Sequence, residues 1–408
     1  RYGRAAAVLA TVTTVIAYTT IVSYQFRGGG KVLSMVSDGM ISLEAGIIIT
    51  AVFAISYTVL AGMFSVVYTD VVNGVLMTIG ILGALLFLIF RVGGLGEIAA
   101  VAESAGKWQL FGNWAAERTG DISGPIIAIS FFVPTMLLLM GDGNMYQRIF
   151  SARDGGSAKK AVFFWIIGVI VLESAISMLG LTGAVATAKG LIPDLVADAQ
   201  STLVNPTEGA LLEARQAGSE SVIPAIARFA GLPIVLGMLL VSTMMAIIVS
   251  TADSFLLIPA TNLTRDVYQR YIHPGADEKQ VLLISRGLVL VLGIIAFLLV
   301  SQFKTVLNAA FTAYNIYGTS ITPALLAAFL WKRATTVGAL ASIITGTSVT
   351  LIWTYVLPDW NGFTNMHPFL QELTYPAAGL SVLALIVGSL LTSAPTRETW
   401  EQFFNDED

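Results

Sequence analysis

The chain reads as an all-α membrane protein, a bundle of about ten transmembrane helices, and three observations carry that reading. Hydrophobic residues make up 55% of the 408 and charged residues only 12%, about half the charge of an ordinary soluble domain. The apolar residues gather into runs of ~20, the length of helix needed to cross ~30 Å of hydrocarbon. Lys and Arg then fall in alternate short segments between those runs, as they do in cytoplasmic loops. Composition also excludes some chemistry. Cysteine is absent, which removes disulfides, thiolate metal sites and cysteine nucleophiles. His273 and His367 are the only histidines and lie far apart, so no histidine triad or metal site is expected. A net charge of −4 carries no nucleic-acid signal.

Taken in order, the spans are expected at 5–26, 43–61, 63–90, 124–150, 161–188, 232–260, 281–301, 306–331, 335–357 and 375–392. They form one domain, 1–392, followed by a short tail, 393–408. The N-terminus opens at Arg1-Tyr2-Gly3-Arg4 directly against the first span, with no signal peptide or initiator Met, as in a chain entered midway. Spans two and three are separated only by Gly62 and its neighbours, which predicts a tight helical hairpin. With Arg1 and Arg4 inside, the inner segments hold Arg148, Arg153, Lys159 and Lys160; Arg265, Arg270 and Lys279; Lys332 and Arg333; and Arg397. The outer segments 27–42, 91–123, 189–231, 302–305 and 358–374 are poor in both. The N-terminus and the acidic tail ending at Asp408 are therefore expected in the cytoplasm. Helical patterning at Glu208–Gln216 and Ser221–Phe229 marks 189–231 as an external cap. Arg286, one turn into the seventh span, can snorkel to the inner face.

Two spans carry breakers. Pro134 is followed by Gly141-Asp142-Gly143-Asn144, and Tyr314-Asn315-Ile316-Tyr317-Gly318-Thr319-Ser320 precedes Pro323. Broken helices near the midplane point to a transporter's binding site. Tyr314 and Tyr317 lie in the second of these segments, where the face of a solute could pack on them.

The most informative stretch is Leu239–Tyr268, LLVSTMMAIIVSTADSFLLIPATNLTRDVY. Ser250, Thr251, Asp253 and Ser254 place four oxygen-bearing side chains inside an apolar run. A carboxylate at that depth costs ~2.5–3.5 kcal/mol or more unless it meets an ion, a partner or water. Hard oxygen ligands of this kind suit a small alkali cation. Asp70, Asp142 and Glu173 are the other carboxylates in or near spans, and Glu173 has no basic residue within two turns.

These residues resemble the sodium:solute symporter family of sugar, proline, sialate and pantothenate carriers. LAGMFSVVYTDVVNG is similar to its G-G…T-D-x-x-Q segment, with Asn73 for Gln and Ala61 for the first Gly. GDGNMYQRIFSARD is similar to its Q-R…A-A-K-D loop, and VSTADSFLLIPATNLTRDVYQRYI to its S-[ST]-x-x-S…L-T-x-D-x-Y helix. The likeness runs from residue 1 to about 357. It implies the inverted-repeat, leucine-transporter-like bundle, with 1–90 the end of the first repeat, its first helices missing, 124–331 the second repeat, and 335–392 accessory helices. It implies no enzyme but a sodium-coupled symporter in the cell (plasma or inner) membrane. Such a protein imports a small polar solute (sugar, amino acid or carboxylate) by alternating access, with Na+ as coupling ion. Ser250, Thr251 and Ile247 match the main sodium site, and Asp70, Asp253 and Ser254 a second one. Asp253 departs from the family's usual hydroxyl, so Asp70 and Asp253 need either a second cation or a shared proton. Asp142 falls on the sugar carriers' pocket Asn, Met145 on their inner aromatic gate and Asn315 on their pocket amide; Tyr314 and Glu173 complete the candidate substrate residues. An acid in place of an amide suits a solute with an amine or several hydroxyls. Alternatives are a proton-coupled symporter using Asp70, Asp253 and Glu173, the sensor domain of a signalling kinase, for which the tail is too short, and an intramembrane hydrolase, which lacks a histidine or cysteine in any span.

Overall fold

The computed structural model describes residues 1–104, 124–360 and 366–404, with 61–68, 124, 208, 359 and 368 described by backbone alone. The Gly62 turn, part of the outer segment 91–123 and the acidic end at 405–408 therefore lie wholly or partly outside the described residues. Helix is imposed by the solvent. Lipid offers a backbone N–H or C=O no partner, so each apolar run must satisfy its own. In chain order the elements are α1 (Gly3–Val36), α2 (Leu43–Val92), α3 (Leu95–Ser104), α4 (Gly124–Gly141), α5 (Gly143–Phe150), α6 (Gly155–Ala188), α7 (Leu195–Ser201), α8 (Glu208–Ser219), α9 (Val222–Phe229), α10 (Ile234–Asn262), α11 (Glu278–Leu299), α12 (Val306–Leu330), α13 (Thr336–Tyr355) and α14 (Thr374–Leu390). A π-helix, Leu263–Ile272, extends α10. Among the described residues eight segments are long and apolar enough to cross a membrane, against the ten expected from sequence. α12 has the length, at 25 residues, but carries Asn, Tyr and Thr through its middle; α14 is apolar but shorter.

α2 holds two membrane-length limbs, Leu43–Leu60 and Thr69–Val92. The hydroxyls of Tyr57 and Thr69 meet at 2.8 Å, although they are twelve residues apart. A straight helix would separate them by ~18 Å, so the two limbs are not in line, although α2 is helical from Leu43 to Val92. α10 packs along both. Thr243 donates to the Leu76 carbonyl at 3.0 Å, and Ala252, Leu256 and Ala260 share a core with Val22 and Phe26 of α1, Ala51 and Ala54 of the first limb, and Leu292 of α11. The first limb also meets α1 backbone to backbone. A side chain on Gly46 would begin 2.9 Å from the Gly30 Cα, and one on Gly30 would begin 2.9 Å from the Leu43 carbonyl oxygen.

The cap is helical as expected, with α7 an additional element. Glu220 ties it to the bundle twice, pairing with Lys31 at the outer end of α1 and accepting from the Leu307 amide at the start of α12 at 2.9 Å. Arg228 of α9 holds Asp38 at 2.7 Å. That guanidinium keeps the Asp38 carboxyl below the usual carboxylate range, so the contact contributes above that range and is lost as pH falls through the lowered value. Both groups are close to half exposed, so the effect on stability is small.

The second expected break does not occur. α12 runs unbroken through Tyr314–Ser320 and Pro323. Proline removes the N–H that would bond the Thr319 carbonyl, and the neighbouring helix covers the freed group. A Cβ at Gly346 of α13 would lie 2.6 Å from the Thr319 oxygen and 2.8 Å from the Ser320 Cα. Only glycine admits that approach. Gly346→Val is expected to force α13 off α12 and lower thermal stability in detergent by ~1–3 kcal/mol, the usual cost of overpacking. An unchanged melting profile would show that α13 does not seal the proline gap.

Candidate functional site

The first expected break is real. α4 ends at Gly141, Asp142 leaves the helix with φ −63° and ψ 112°, and α5 starts at Gly143. The Asp142 carboxylate accepts from the Asn144 amide at 3.1 Å and so caps α5. The end of α4 is left with carbonyls that have no helical partner. The Tyr317 hydroxyl of α12 reaches the Gly141 carbonyl at 2.8 Å and the Tyr146 hydroxyl of α5 reaches the Met140 carbonyl at 2.9 Å; one turn earlier the Thr322 hydroxyl of α12 adds a bond to the Leu137 carbonyl at 2.6 Å. From α1, the Tyr18 hydroxyl donates to Asp142 Oδ1 at 2.7 Å. Its ring stacks on Tyr317 with centroids 4.9 Å apart and meets Phe255 of α10 edge-on at 4.6 Å. Elements α1, α5, α10 and α12 thus meet around Asp142, which is 9% exposed and whose carboxylate accepts from Tyr18 and Asn144.

A second polar cluster lies on the α10 face formed by Ser250, Asp253 and Ser254. Ser250 Oγ donates to Asp70 Oδ1 at 2.6 Å. Arg148 Nη2, at the end of α5, pairs with Asp70 Oδ2 at 2.6 Å and also donates to Ser254 Oγ at 3.1 Å. Asp253, 1% exposed, accepts from the Thr58 hydroxyl of the first limb of α2. Two carboxylates, three hydroxyls and one guanidinium therefore occupy one region where α2, α5 and α10 meet. Ile247 and Thr251, one turn apart on a neighbouring face of α10, are half-buried. Among the described residues the Thr251 hydroxyl has no hydrogen bond. The alternatives weighed from sequence for neutralising Asp70 and Asp253 were a cation or a proton; the structure adds Arg148, which the sequence offered only as an orientation charge.

The other candidates are spread along the bundle. Met145 lines an inner cavity of about 250 Å³ with Asp142, Arg148 and Trp165. Asn315, 2% exposed, lies at the wall of an outer cavity of about 520 Å³ shared with Asn308, Glu213 and Glu372. Its amide donates to the Phe311 carbonyl at 2.9 Å, and its Oδ1 is buried without a partner. Tyr314 shares a hydrogen bond with Tyr24 at 3.1 Å. Glu173 is exposed on α6 and belongs to neither cluster. Sequence reasoning missed Tyr18, Thr58, Thr322 and the pairing of Arg148. Tyr18 gave one usable signal, a phenol at mid-span where anchoring at the membrane interface does not apply.

Tyr317→Phe keeps the ring stack and deletes one donor. A buried carbonyl left unpaired costs ~1–3 kcal/mol, so the variant is expected to unfold at lower temperature than wild type in the same detergent. If the two melt together, the α4 end finds its donor elsewhere.

Comparison with known proteins gives consistent results. The model of the sodium:solute symporter family matches residues 1–346. The chain is 25% identical over 399 residues to the high-affinity proline transporter PutP of Bacillus subtilis, covering 97% of this chain and 75% of that protein. It is 26% identical over 391 residues to the sodium/pantothenate symporter of Escherichia coli, covering 95% and 72%. Among solved structures, a Na+-coupled sialic acid symporter in a substrate-bound outward-open state aligns with a TM-score of 0.69 at 17% identity, over 95% of this chain and 75% of that one. That likeness shows the fold.

Proposed function

The chain belongs to the sodium:solute symporter family, and from that premise we propose that its two polar clusters divide the work of coupled transport. The protein is a multi-pass membrane transporter, not an enzyme, and carries a small polar solute together with sodium by alternating access. The observation that carries the division is the hydroxyl–carboxylate cluster of Asp70, Ser250, Asp253 and Ser254 inside apolar spans. Such a set of hard oxygens suits Na+. Ser250, Thr251 and the Ile247 carbonyl hold the main ion, and Asp70, Asp253 and Ser254 a second. Arg148 stands on Asp70, so an ion can take that carboxylate only as the guanidinium withdraws. Arg148 also ends α5, the inner part of the broken span; ion binding and movement of that part are thereby linked.

The solute binds against the break. Asp142 lies at it, Asn315 in the wall of the neighbouring cavity and Tyr314 beside Tyr24 extend the solute path along α12, Met145 closes the inner side, and Glu173 is a peripheral candidate. A carboxylate held by Tyr18 and an amide oxygen with no partner favour a solute that brings donors, such as an amine or several hydroxyls. The proline and pantothenate carriers among the relatives fit a compact polar solute of that kind. On the family's inverted-repeat plan, α1 and the limbs of α2 close the first repeat. α4 with α5, then α6, α10, α11 and α12 form the second, and α13 and α14 are accessory, giving ten crossings. No covalent step occurs; the sodium gradient supplies the work. Because coupling is reciprocal, bound solute must raise sodium affinity by the factor with which sodium raises solute affinity.

Replacing Ser250 and Thr251 together by Ala is expected to raise the sodium concentration for half-maximal uptake about tenfold, since one lost ion contact of ~1.4 kcal/mol gives that factor. Unchanged sodium dependence in correctly inserted protein would remove these residues from the site. Proton coupling is the second reading, and it rests on Asp253, whose carboxylate meets a hydroxyl rather than a cation. In reconstituted vesicles, Asp253→Ser is expected to keep uptake while changing the apparent sodium affinity or the number of coupled ions. A variant with unchanged sodium response and a flattened pH profile would favour the proton instead.

A further inference from the structure

A cavity of about 750 Å³ opens between the inner end of the first limb of α2, the π-helical extension of α10 and the start of α11. Arg265, Lys279 and Arg286 line it, against a single carboxylate, Glu278. None of these three cations makes an ion pair or hydrogen bond among the described residues. Arg286 stands out, because it lies eight residues beyond the start of α11 at Glu278, ~12 Å along the axis. Arg286 is exposed, and a guanidinium that far along a membrane-spanning helix needs an anion or water. Snorkelling alone would carry it toward the surface, and here the surface it reaches is the wall of this cavity. The remaining lining has two characters. Thr261, Gln269 and Ser285 add hydrogen-bonding groups near the cations, whereas Leu257, Val281 and Val289 make an apolar wall.

We propose that this cavity binds the phosphodiester headgroup of an anionic phospholipid. Arg265, Lys279 and Arg286 hold the phosphate and the apolar wall takes the upper acyl chain. Basic pockets between transmembrane helices on the cytoplasmic side are suited to such headgroups. A free phosphate would use the cations but would leave the apolar wall without an occupant, which is why the lipid is the better fit. The position bears on transport, because Thr58 lines the cavity and donates its hydroxyl to Asp253. The headgroup would sit one side chain away from the ion cluster.

The test uses the full chain in phosphatidylcholine nanodiscs containing a minor fraction of phosphatidylglycerol, with retained phosphatidylglycerol read by native mass spectrometry. Arg265→Gln with Lys279→Gln and Arg286→Gln is expected to lower retention at least ~tenfold, since each basic residue near an anionic lipid contributes about fivefold. A control with the same charge loss, Arg153→Gln with Lys159→Gln and Lys160→Gln, should leave it within about twofold, because those residues lie outside the cavity. Should the triple variant fail to fold, Arg286→Gln alone is expected to reduce retention about threefold or more. Equal losses in variant and control would overturn the site in favour of diffuse surface attraction. Full displacement of phosphatidylglycerol by inorganic phosphate at matching concentration would overturn the lipid assignment. Retention unaffected by the variants would overturn both.

Discussion

A helix interrupted inside hydrocarbon must give its unpaired carbonyls to another part of the protein, and this structure is arranged around that requirement. At the α4 end, α12 brings Tyr317 to the Gly141 carbonyl and α5 brings Tyr146 to the Met140 carbonyl. That accounts for Tyr317 and Thr322 in α12, while Thr312, Asn315 and Thr319 bond carbonyls of α12 itself.

Charge is handled by the same economy. The cluster on α10 carries two carboxylates, but one is met by a guanidinium from α5 and the other by a hydroxyl from α2. Two bare anions a few ångströms apart would repel by several kcal/mol even at an effective dielectric of ~20. The compensating charge comes from the far end of the interrupted span, so the pairing of Asp70 depends on where α5 sits.

Much of this was legible in the sequence, for identifiable reasons. The spans show because apolar length is a one-dimensional property, and the break at Asp142 shows because Gly-Asp-Gly sits where a helix should be. Asp70, Ser250, Asp253 and Ser254 were recognisable as a set because oxygen-bearing side chains are conspicuous in lipid. The Tyr314–Ser320 break was misread: glycine and proline lower helix propensity locally, but α13 packs its backbone at Gly346 against the freed Thr319 carbonyl. That remedy lies on another helix and leaves no local trace. Tyr18 and Arg148 were missed for the same reason. Each is ordinary in its own segment and gains meaning from a partner more than seventy positions away, 124 for Tyr18 to Asp142 and 78 for Arg148 to Asp70.

The contact of Gly30 with Gly46 has a mechanical consequence. With backbones this close, α1 and the first limb of α2 can neither slide nor rotate past each other without driving a methyl-sized group into a main chain. They behave as one stiff beam. Tyr18 sits on one member of that beam and grips Asp142, while Thr58 sits on the other and grips Asp253. The break at Asp142 and the carboxylate cluster on α10 are therefore each tied by one hydrogen bond to the same pair of tightly packed helices.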